Sequence, residues 1–148
     1  MRFELIDRVL ERRADGLTAI KTVTSAEEYL ADHFPSFPVL PGVMMLETLV
    51  QAARQLAAEG VGEGPPPTRP LVVRDVRNVK YGSFVRPGQT LTVDVTLRKR
   101  DARGYEFQGI GRVEDEVAVQ GRFRLAELDA PGTPDVPDAP ASAASSSP

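Results

Sequence analysis

The sequence predicts an α+β domain in which an antiparallel sheet of about six strands wraps around one long central helix. Three observations predict it. Residues 43–53 are apolar on nearly every side, and nothing from 43 to 59 breaks a helix. Segments 90–100 and 117–125 alternate apolar and polar residues, the pattern of half-buried strands. Turn signals at Ala14-Asp15-Gly16, Arg86-Pro87-Gly88-Gln89, Asp101-Ala102-Arg103-Gly104 and Glu114-Asp115-Glu116 separate the strands.

Taken in order, residues 2–10 read as a strand through Phe3, Leu5, Ile6, Val9 and Leu10, and 17–23 as its hairpin partner. A short helix is expected at 25–30, with Ser25 as its N-cap and Glu27 and Glu28 in the first turn. It delivers the chain to His33. Pro35, Pro38 and Pro41 hold the next stretch extended, and Pro41-Gly42 launches the central helix, which stops at Gly60. Residues 60–70, GVGEGPPPTRP, form no regular element and read as a stiff connector. Strands are expected at 71–81, 90–100, 105–113 and 117–125. One domain thus spans 1–126. Residues 127–148, rich in Pro, Ala and Ser, lack the apolar surface to offset ordering and are expected to be disordered.

Composition narrows the function classes. A chain of 148 residues makes one domain with a real core. A net charge of -3 gives no footprint for nucleic acid. The absence of cysteine excludes disulfides and a thiol nucleophile, and a single histidine argues against a zinc site. The apolar helix falls short of the roughly 20 residues that span a bilayer. The N-terminus does not read as a signal peptide, so the expected location is the cytoplasm.

Two residues stand out against this background. Glu47 is a carboxyl group inside the apolar run, with Gln51 four residues on and therefore on the same helix face. A buried structural hydrogen bond and an active-site carboxyl are both open readings of Glu47 from the helix alone. His33 taken singly reads more simply as a loop histidine bonded to backbone. Together they flank a helix N-terminus whose free N–H groups and positive dipole end face the same region. That supplies a base, an acid and an oxyanion cradle, the parts needed to take a proton from beside a carbonyl.

His33-Phe34-Pro35, Pro38, Pro41-Gly42-Val43, Leu46-Glu47 and Gln51 resemble the signature of the beta-hydroxyacyl-acyl-carrier-protein dehydratases of fatty-acid synthesis, the FabZ/FabA type. Glutamate at 47 is similar to the FabZ branch. Ile6-Asp7-Arg8-Val9 and Val85-Arg86-Pro87-Gly88-Gln89-Thr90-Leu91 look like further family segments, while Ser36 and Phe37 stand where the family usually has glycine and a polar or basic residue.

The resemblance implies the hotdog fold, a homodimer with its two sheets joined edge to edge, and dimers that commonly gather three at a time into a hexamer. It implies that the histidine of one chain works beside the glutamate of the other. The implied reaction is loss of water from a (3R)-3-hydroxyacyl thioester on acyl carrier protein, giving a trans-2-enoyl thioester. His33 is then the base. Glu47, set in an apolar wall that favours the neutral acid, is the proton donor. Backbone N–H groups near Gly42 and Val43 receive the thioester oxygen, and Gln51 orients Glu47 or a water. No metal or redox cofactor is needed. Met44, Met45, Leu49 and Phe84 are candidates for an acyl tunnel, each also readable as core. Lys80, Arg86, Arg122 and Arg124 are candidates for a basic patch toward an acidic carrier protein, each also readable as solvated surface charge. A hotdog thioesterase and a non-catalytic acyl-chain or acyl-carrier binding module are the competing functions.

Overall fold

The computed structural model describes residues 4–24 and 39–128. The expected helix at 25–30, His33 with its neighbouring prolines, and the tail from 129 onward lie outside the described residues. Six strands and one helix make up the rest: β1 (Arg8–Arg12), β2 (Gly16–Thr22), α1 (Gly42–Ala58), β3 (Leu71–Tyr81), β4 (Thr90–Asp101), β5 (Gly104–Val113) and β6 (Glu116–Glu127). The strands form one antiparallel sheet in the order β1-β2-β4-β5-β6-β3. Strand β3 returns to pair with β6, so β1 and β3 are the two edges.

The later elements match the periods that predicted them to within a residue or two. The first does not. Expected from residue 2, β1 begins at Arg8. Leu5 is buried, but its N–H goes to the Gln51 side chain instead of a strand. Pairing with β2 starts only at Asp7, whose N–H reaches the Ile20 carbonyl at 2.9 Å.

The helix lies on the inner face of the sheet. Met45, Leu49, Ala53 and Leu56 pack into one cluster with Leu17, Ala19, Val93, Val95, Phe107, Phe123 and Leu125. Phe107 is stacked between Tyr105 and Phe123, with ring centroids 6.1 and 5.9 Å away. Gly109 makes room for Leu49, since a Cβ there would come within 3.1 Å of both its methyl carbons. Thr48, fully buried, donates its hydroxyl to the Met44 carbonyl at 2.7 Å. Gly60, with φ of 92°, closes the helix as a left-handed stop.

The sheet wraps around α1 as expected, and among the described residues its cover is thinnest at the N-terminal end of the helix. Val43 is 67% exposed, and Met44 and Leu46 are only half-buried. The sheet curls around one side of the helix, and among the described residues its N-terminal end is the more open one.

The connector after α1 is tied down. Arg100 donates to the Val61 carbonyl at 3.1 Å and to the Pro65 carbonyl, and its guanidinium sits 4.6 Å from the Tyr105 ring centroid. Two-residue turns close the last hairpins. At one, the Arg103 N–H holds the Asp101 carboxyl below its usual carboxylate range. At the other, Glu114 and Asp115 both take positive φ, as a type I′ turn requires. Edge strand β3 carries two register breaks, with Asn78 at φ 56° inside the second. Among the described residues no helix is long and apolar enough to cross a membrane.

Phe107 is the centre of the core, so Phe107→Ala is expected to destabilise the fold by about 3–5 kcal/mol. Urea unfolding compared with the parent chain checks this.

Candidate functional site

The site is built at the first turns of α1. Pro41 stays extended, with φ -60° and ψ 145°, and its carbonyl accepts the N–H groups of Met44 and Met45 at 2.9 and 3.1 Å. The N–H groups of Gly42 and Val43 therefore have no intrahelical acceptor. Neither a side-chain cap nor an acidic residue in the first turn competes for that end of the dipole. The Leu40 N–H is bonded to the Val85 carbonyl at 2.8 Å, which pins the helix entry to the segment leading into β4.

Gly42 answers to a neighbour. A Cβ on it would lie 2.9 Å from the Tyr81 ring. The absent side chain admits that ring, from the end of β3, against the helix start. Within one chain the room that glycine leaves is taken by an aromatic.

Glu47 follows one turn along. Its side chain is 33% exposed. Gln51 Nε2 donates to Glu47 Oε2 at 3.1 Å, and Arg54 Nη1 lies 3.5 Å from the same oxygen. Both donors are anchored in turn. Gln51 Oε1 accepts the Leu5 N–H at 2.7 Å, which fixes its amide orientation, and Arg54 Nε donates to the Leu71 carbonyl at 2.9 Å. The apolar wall expected around Glu47 is thus corrected: an amide and a guanidinium stand beside it, because positions 47, 51 and 54 share one helix face.

The other candidates scatter. Met45 and Leu49 are buried in the core. Met44 is half-buried against that cluster, and Phe84 is 54% exposed. Phe84 lines an open cavity of about 730 Å³ with Gly82, Ser83, Arg86, Val113 and Val117. The four tunnel candidates therefore divide between core and surface. The four basic candidates do not make one patch either. Lys80 and Arg122 share a groove of about 270 Å³ with Asn78, Gln108 and Gln120 on the outer face of the sheet. Arg86 is beside Phe84. Arg124 is withdrawn, its side chain 11% exposed and bonded to Asp75 at 2.9 Å and to the Arg103 carbonyl at 2.7 Å. His33 lies outside the described residues.

Arg54 and Tyr81 join the site without a sequence expectation behind them. Arg54 was findable: it lies seven residues after Glu47 and three after Gln51, on their face. Nothing in the linear pattern brings Tyr81 to Gly42.

A family model described as FabA-like domain matches residues 1–122. A 3-hydroxyacyl-[acyl-carrier-protein] dehydratase FabZ from Paracidovorax citrulli is 40% identical over 119 residues, covering 80% of this chain and 82% of the relative. Another FabZ, from Rickettsia massiliae, is 34% identical over 122 residues, covering 82% and 83%. Among solved structures, the dehydratase heterocomplex ApeI:P from Xenorhabdus doucetiae superimposes with a TM-score of 0.63 at 18% identity, covering 85% of this chain and 100% of that one. A point mutant of the fluoroacetyl-CoA-specific thioesterase FlK gives 0.62 at 17% identity, covering 80% and 88%. At such identities the two structures speak for the fold alone, which is the hotdog fold.

Gln51 joins the N-terminal segment to Glu47. Gln51→Leu keeps the volume but strips the Leu5 N–H of its acceptor, at an expected cost of about 1–3 kcal/mol. Chemical unfolding measures it, and an unchanged stability would show the tie to be dispensable.

Proposed function

The chain belongs to the FabA-like family, and on that premise we propose that it dehydrates 3-hydroxyacyl thioesters carried on acyl carrier protein, in fatty acid biosynthesis. The observation that carries the reading is Glu47, held through one oxygen a turn away from two backbone N–H groups that have no acceptor within the helix.

His33 takes a proton from the carbon next to the thioester carbonyl, and the electron pair moves into the new C2–C3 double bond. The C3–O bond breaks, and Glu47 gives its proton to the departing hydroxyl, which leaves as water. Charge gathering on the thioester oxygen is met by the N–H groups of Gly42 and Val43, where removal of one donor typically costs about 3–4 kcal/mol.

The working unit is a homodimer joined along β3, with dimers able to assemble in threes, and the cell compartment is the cytoplasm. In that dimer the histidine of one chain serves the glutamate of the other. Support for the pairing comes from the edge itself. Val73, Val76 and Tyr81 are exposed on the inner face, opposite Leu125, Phe123 and Val119 of β6, and β3 has no strand on its outer side among the described residues. The carrier protein is received by basic side chains, for which Lys80 with Arg122, or Arg86 beside Phe84, are the candidates and Arg124 is poorly placed.

Turnover of 3-hydroxyacyl thioesters, followed by enoyl absorbance, tests the activity. His33→Ala and Glu47→Gln are each expected to lower it by about 10²- to 10⁴-fold. Release of free thiol from a saturated acyl thioester, with no enoyl product, would point to hydrolysis instead. For the assembly, Val76→Lys sets like charges against each other near the joined edges, a penalty on the order of several kcal/mol. Sedimentation velocity should then find a dimer or larger species for the parent and a lighter one for the variant; a monomeric parent would rule the dimer out.

A further inference from the structure

A glutamate partly open to solvent has three side-chain bonds to turn about, and an acid that must meet one hydroxyl has to be aimed. In this chain the aiming is visible. Two donors, from successive turns of α1, converge on Oε2 of Glu47, Gln51 Nε2 at 3.1 Å and Arg54 Nη1 at 3.5 Å. Oε1 has no hydrogen-bond partner among the described residues. Neither donor swings freely, since Gln51 is tied to Leu5 and Arg54 to the first carbonyl of β3.

We propose that Arg54 is a positioning residue for the dehydration: together with Gln51 it holds Glu47 by Oε2 and leaves Oε1 as the oxygen that meets the substrate hydroxyl. This rests on the dehydratase reading given above. The residue type fits the task. A guanidinium offers several N–H groups in a rigid fork, so one arm holds the Leu71 carbonyl while another holds the carboxyl. A lysine ammonium at the end of a flexible stem has no such fixed pair. Through the Leu71 carbonyl the same fork ties the direction of Glu47 to the start of the edge strand.

The test compares the parent chain with Arg54→Met, which keeps an unbranched apolar stem and removes the fork. Steady-state kinetics on a 3-hydroxyacyl thioester of acyl carrier protein, a thermal melt and a crystal structure are taken for each. The expected result is a kcat lower by roughly tenfold with KM within about twofold, since misaimed acids lose rate and not binding. Glu47 is expected to occupy more than one conformer in the variant. An unchanged kcat in a folded variant, with Glu47 in its parental conformer, overturns the proposal and leaves Arg54 a helix-to-strand tie whose loss moves only the melting temperature. If Arg54→Met fails to fold, Arg54→Lys is judged by the same kcat criterion. A parent chain that turns over no 3-hydroxyacyl thioester refutes the dehydratase reading separately, and the Glu47 conformer in the variant then decides the positioning on its own.

Discussion

A helix apolar on nearly every side has to be covered on every side, and one curled sheet reaches only part of it. That constraint organises the molecule. Along the covered side, alanines and leucines of α1 meet the aromatic and branched residues of β2, β4, β5 and β6, and Gly109 thins the sheet where Leu49 stands. Toward the N-terminal end, among the described residues, the cover thins. Val43 projects, Met44 and Leu46 are half-hidden, and the inner face of β3 is left with exposed valines. The chemistry-bearing carboxyl sits at the border between these regimes, dry on one side and reachable on the other.

The polar groups at that border form a line across three elements. It begins at the backbone before β1, passes through Gln51, Glu47 and Arg54 on the helix, and ends at the first residue of β3. Each member satisfies a neighbour, so the helix can carry these side chains without stranding a buried polar group. The line also explains why the N-terminal segment departs from strand pairing, because the N–H that a ladder would use is committed to the helix.

Much of this was legible in the residues, for identifiable reasons. The alternation in β4 and β6 survives because each strand has one face on the core, and period two is the direct record of that. The helix was legible in Pro41-Gly42 and in the breaker-free run to Gly60. The match of His33 through Gln51 to the dehydratase signature agreed with the family found by comparison. What was not legible is tertiary. No period says that Leu5 turns inward to an amide, that Tyr81 lies against Gly42, or that Arg54 reaches Leu71. The charge of Arg124 gave no hint of its burial against Asp75, since charge is a property of the residue and burial a property of its surroundings.

Gly42 and Tyr81 carry a consequence beyond their contact. The backbone at 42 needs nothing that other residues lack; what it needs is space, and the atoms bordering that space belong to a side chain open to solvent. Within one chain, bulk added at 42 would press on that ring before it would break the helix. Side-chain volume at 42 and the ring at 81 compete for one space. The start of the central helix is thus shaped from across the fold, by the last residue of an edge strand.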